Sequence, residues 1–92
     1  MPVERADLER TLQHLGFTST ESRHRLYVLH IGGKRVAETL VSRGSAYRTL
    51  SDAMVAQIAR EIHVSRRFLM NLVAGKHSRE DYLARLREQG LL

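Results

Sequence analysis

The chain of 92 residues has no cysteine, no tryptophan and a single proline. Without cysteine it has neither disulfide staples nor thiolate metal sites, and a reducing cytoplasmic setting is the expected one. No apolar run approaches the roughly 20 residues that span a bilayer. The first ten residues, MPVERADLER, are charged and lack the apolar centre of a signal peptide. The apolar share of 42% is that of a folded protein, so disordered, collagen-like and low-complexity readings fail. One domain over residues 1–92 is expected, with a core from about 4 to 75 and a last helix, 78–89, appended to it.

Negative charge is scarce in one place. Between Ser22 and Arg48 there are six basic residues (Arg23, Arg25, Lys34, Arg35, Arg43 and Arg48) against one acidic residue, Glu38. That segment accounts for the whole formal excess of +5. Clustered cations attract polyanions by phosphate contact and counterion release, so nucleic acid is the first partner to consider.

The same segment, RHRLYVLHIGGKRVAETLVSRG, alternates in polarity and turns at Gly32-Gly33. A two-residue glycine turn pairing Ile31 with Lys34 predicts a hairpin. A regular register puts Tyr27, Leu29, Val36 and Leu40 on the core face. It puts His24, Leu26, Val28, Ala37, Thr39 and Val41 on the other. Ahead of the hairpin, Leu8, Leu12 and Leu15 mark one face of a helix ended by Gly16. FTSTES is either a short edge strand or a loop, and RGSAYRT is a loop. Helices follow from Ser51 (Met54, Val55, Ile58, Ile62), from Ser65 (Phe68, Leu69, Leu72, Val73) and from Ser78 (Tyr82, Leu83, Leu86). The order is α, β-strands, α, α, α: an α+β fold with a small antiparallel sheet of two to three strands, helices on one face and extra C-terminal helices.

Five histidines suggest metal, but their placement does not. His24 and His30 share a strand face roughly 20 Å apart at about 3.3 Å per residue. His14, His63 and His77 fall on separate helical segments, so no metal site and no cofactor is expected. No G-x-S-x-G elbow is present, and GGK is a hairpin turn rather than a phosphate loop.

Two nucleic-acid readings remain. Residues 51–74 have a helix-turn-helix look: Ala59 is small at the crossing, Val64 and Leu69 are apolar, and Arg66 and Arg67 begin the second helix as candidate DNA contacts. His63 stands at the turn, where such pairs favour glycine with positive φ. The other reading centres on His24, an imidazole that exchanges protons near neutral pH, set among cations able to hold a phosphodiester. Acid–base help to a ribose 2′-OH needs little more, and that hydroxyl selects RNA. A protein-interaction domain whose basic face meets an acidic partner is the third possibility.

The segments LERTLQHLGF, HRLYVLHIGGKRVAETLVS and RTLSDAMVAQIAREIHVSRRFLMNLV, in this order, resemble the HicA (YcfA-like) toxins, with HRLY opening the hairpin strand. The resemblance covers about Leu8 to Val73. It implies a double-stranded-RNA-binding-domain-like fold, metal-independent mRNA cleavage and a HicB-like antitoxin partner. It also implies that His24 is the catalytic histidine. Arg23, Arg25, Lys34, Arg35 and Arg43, the cations of the basic segment, are the expected RNA contacts. Where the family carries glycine before that histidine, Ser22 and Arg23 stand here.

Overall fold

The computed structural model describes residues 3–21, 24–42, 44 and 48–92. Strand β1 (Val3–Glu4) leads into helix α1 (Arg5–His14). Strands β2 (Thr18–Glu21), β3 (Arg25–Ile31) and β4 (Lys34–Val41) form an antiparallel sheet in that order. Strand β5 (Thr49–Leu50) pairs with β1, and helices α2 (Asp52–Glu61), α3 (Arg66–Val73) and α4 (Arg79–Glu88) complete the chain. The α+β class expected from the sequence is the one observed. The β1–β5 ribbon was not foreseen, since strands of two residues carry no period to read. It ties the segment before α1 to the segment before α2, with help from Arg5, whose guanidinium donates to the carbonyls of Ser42 and Gly44. Among the described residues, no helix is long and apolar enough to cross a membrane.

The glycine turn is as expected: Ile31 pairs with Lys34, and Gly32 and Gly33 both take positive φ, 61° and 79°. This is the left-handed geometry that matches the twist of a hairpin. One step further the register shifts. His30 pairs with Arg35 but Leu29 pairs with Ala37, leaving Val36 as the extra residue of a β-bulge. Because side chains alternate with period two, one extra residue reverses every face beyond it. Of the expected inward set on β4, Val36 at the bulge still packs half-buried against the core, but Leu40 beyond it does not. Ala37, Thr39 and Val41 join Tyr27 and Leu29 against the helices, while Leu40 is turned out with 53% of its surface exposed. The β3 half of the assignment stands.

Leu8, Leu12 and Leu15 of α1 and its C-terminus, Phe17, Tyr27, Leu29, Ala37 and Val41 meet Val55, Ile58, Ala59 and Ile62 of α2 in one cluster. Phe68, Leu69 and Leu72 of α3 and Tyr82, Leu83 and Leu86 of α4 belong to the same cluster. The last helix thus completes the core, and the Tyr82 hydroxyl, fully buried, donates to the Ile62 carbonyl at 3.0 Å. Burial pushes the Tyr82 pKa well up and keeps the phenol neutral.

Each helix after the sheet starts on a serine cap. Ser51, Ser65 and Ser78 accept from the backbone N–H of Met54, Phe68 and Asp81. All four helices end in the paired 6→1 and 5→2 backbone bonds of a Schellman motif. Three place glycine in the left-handed position: Gly16, Gly75 and Gly90. After α2 that position is held by His63, with φ 71°, the one non-glycine residue with positive φ among those described. Histidine at the turn therefore does not oppose the helix-turn-helix geometry, as the sequence alone suggested; it adopts the glycine conformation. Its imidazole Nε2 lies 3.2 Å from the Val36 carbonyl, and its own carbonyl accepts from Gln89 at 2.7 Å. We expect His63→Val to lower stability by about 2 kcal/mol, since a β-branched residue is strained at positive φ and the Val36 contact is lost. His63→Gly, which relieves the backbone, should cost clearly less. Urea midpoints of the two variants decide it, and equal losses would mean that the left-handed conformation is not what residue 63 contributes.

Candidate functional site

His24 precedes β3 by one residue and is exposed. It lines a cleft between the hairpin and α2, together with Leu40, Ser42, Met54, Gln57, Ile58 and Glu61. The bulge creates part of this wall by turning Leu40 outward. The α2 side of the cleft is a single helical face, with Met54, Gln57, Ile58 and Glu61 at intervals of three and four residues. Glu61 is tethered: the hydroxyl of Thr39, itself buried, donates to Glu61 Oε1 at 2.7 Å. A histidine on one wall and a positioned carboxylate on the other can move protons to and from a ligand held between them. Gln57 and Glu61 went unnoticed in the sequence reading. Their spacing with Met54 and Ile58 was the available signal, but nothing in the sequence said that this face of α2 would meet the head of β3.

The expected cations divide. Arg25 is committed to carboxylates: Nη1 donates to Glu9 at 2.9 Å and Nη2 to Glu21 at 2.8 Å. Glu9 Oε1 also accepts from the Tyr27 hydroxyl at 3.0 Å, so one carboxylate oxygen joins α1 to two residues of β3. The Tyr27 hydroxyl and the Glu9 carboxylate raise the Arg25 pKa above its ordinary value, and burial pushes the Tyr27 phenol up. Arg25 therefore anchors the strand that carries His24. Arg35 pairs with Glu38 at 3.0 Å in an exposed contact, and Lys34 is exposed at the hairpin tip. Exposed pairs of this kind are weak and yield readily to a phosphate. Arg23 and Arg43 lie outside the described residues.

Arg66 and Arg67 stand apart from the cleft, exposed on the first turn of α3. Arg66 Nη1 lies 3.9 Å from Asp52 Oδ1 at the start of α2. Among the described residues, no three His, Asp or Glu side chains converge as a metal site would require. His77 is half-buried, stacked on the Phe68 ring at 4.4 Å, and 3.6 Å from Asp81. Comparison with protein-family models, with curated proteins and with solved structures gives no match.

Proposed function

We propose that the chain is an RNA-directed, toxin-type endoribonuclease of HicA-like character, acting through His24. The observation that carries this reading is the cleft itself, where an exposed imidazole at the head of β3 faces a helix wall bearing Gln57 and the tethered Glu61. The element order α1–β2–β3–β4–α2 agrees with the double-stranded-RNA-binding-domain-like arrangement that the sequence resemblance implies.

The proposed reaction is in-line attack of a ribose 2′-OH on its own 3′ phosphodiester. The 2′ oxygen forms a bond to phosphorus as its proton passes to a base, and the bond to the 5′ oxygen of the next nucleotide breaks as that oxygen takes up a proton. His24 is the proton-transfer group, with Glu61 as its candidate partner across the cleft. Lys34 and Arg35 steer the backbone. mRNA is the proposed substrate, and a HicB-like protein is the proposed partner that would cover the cleft.

The direct test is incubation of mixed-sequence RNA with the purified chain in the presence of a chelator. Fragments ending in 2′,3′-cyclic phosphate or its hydrolysis product support the proposal, and intact RNA at high protein concentration removes it. RNA affinity should also fall steeply with salt. Replacing both Lys34 and Arg35 with Ala should reduce the slope of log K against log salt by about one to two units, at roughly 0.7–0.9 per phosphate contact. An unchanged slope would take the hairpin tip out of the RNA site.

A second reading, a DNA-binding helix pair, is favoured by the left-handed His63 between α2 and α3. It concerns a different surface of the molecule and need not compete with the first.

A further inference from the structure

We infer that the outward face of α3 is a second nucleic-acid site, one that reads duplex DNA from the major groove. The helix pair has the architecture this requires. α2 ends at Glu61 with Ile62 as its C-cap, His63 makes the left-handed turn, and Ser65 caps α3, which begins at Arg66. Ala59, 1% exposed, packs in the core with Val55 and Ile62, the small residue of that buried face. In helix-turn-helix proteins the first helix crosses the DNA backbone while the second enters the groove with its N-terminal residues on base edges. Both helix starts must then lie on one surface. The Arg66–Asp52 approach of 3.9 Å places them there.

The chemistry of the exposed face agrees. At about 100° per residue, Phe68, Leu69 and Leu72 occupy one side of α3 and are buried. The opposite side carries Arg66 and Arg67, both exposed, and the half-buried Asn71, while Met70 between them packs partly against the core. Arginine and asparagine are the side chains that make two-pronged hydrogen bonds to guanine and adenine, respectively, in the major groove. Eight residues of helix span about 12 Å, close to the width of that groove. A solvated helix face needs no such selection, and α3 has no acidic residue. The site is separate from the cleft, which uses the Met54, Gln57, Ile58 and Glu61 face of α2.

The experiment uses the full chain and a pool of random duplex DNA. Rounds of selection should enrich one short sequence family, and fluorescence anisotropy should show binding to an enriched duplex over a scrambled one. Arg67→Ala and Asn71→Ala should each weaken binding to the enriched duplex by about 5- to 150-fold, the range of a good two-pronged base contact. Arg67→Lys, which keeps the charge but not the fork, should lose sequence preference while the salt slope is kept. His24→Gln should bind the enriched duplex like wild type, whether or not the chain cuts RNA. Circular dichroism melts establish that these surface variants are folded. If no duplex is enriched, if binding to the enriched duplex is indifferent to residues 67 and 71, or if these residues hold structured RNA as tightly as DNA, the DNA site is refuted.

Discussion

Replacing His24 with Gln is expected to lower RNA cleavage by about 10²–10⁴ while leaving the fold and most RNA binding in place, the usual range for loss of a general acid or base. Glutamine retains hydrogen-bonding capacity but cannot carry a proton at neutral pH. Because the residue is exposed, the melting temperature should hardly move. Glu61→Gln should give a smaller loss if the carboxylate assists the imidazole, with the Thr39 hydroxyl still able to donate to the amide oxygen. The measurement is single-turnover cleavage of a labelled RNA by wild type and both variants at matched folded concentration. Undiminished cutting by His24→Gln would reduce His24 to a surface residue and move the chemistry elsewhere.

Removing the carboxylate of Glu9 should cost about 3 kcal/mol of folding stability. Its Oε1 holds both the Arg25 guanidinium and the Tyr27 hydroxyl. Glu9 is 13% and Arg25 26% exposed in their side chains, so the pair is largely shielded, while the Arg25 Nε is already buried without a partner. In Glu9→Ala the phenol loses its acceptor and the guanidinium is left with Glu21, a mainly exposed partner. Breaking a buried pair from one side typically costs 3–5 kcal/mol, and an orphaned hydroxyl about 1–3, so partial exposure still leaves a large loss. Glu9→Gln keeps an acceptor for Tyr27 and should cost roughly half as much. Urea unfolding of both variants tests this, and a loss below about 1 kcal/mol for Glu9→Ala would mean that water replaces the carboxylate without penalty.

Much of the fold was legible because local rules decided it. Leu8, Leu12 and Leu15 fixed α1, Gly32-Gly33 fixed the hairpin turn, and three serines fixed three helix starts. The facing of β4 was not legible, since the Val36 bulge is selected by tertiary packing and any regular register inverts the strand. His63 misled for a related reason: glycine is the cheap residue at positive φ, but two hydrogen bonds from distant segments can hold a histidine there. The site was half legible. Its histidine stood in a marked sequence context, whereas Glu61 and Gln57 are brought to the cleft by the way α2 docks beside β4. The commitment of Arg25 to Glu9, sixteen residues earlier in the chain, was equally beyond reach of a pattern.

Val36 gives its carbonyl to the His63 imidazole, and Gln89 reaches the same turn from the end of the chain. The extra residue in the strand is thereby the socket for the corner between α2 and α3. Insertion and deletion tolerance should follow this joint. Glycines added at the 32–33 tip lengthen a solvent-exposed loop and leave the socket in place, at little cost. A residue added or removed between Lys34 and Ala37 turns the carbonyl away from His63 and disturbs the corner some 27 positions downstream. The helix pair is consequently not a portable cassette: transplanted without the hairpin, it would keep its caps and lose the contact that holds its bend.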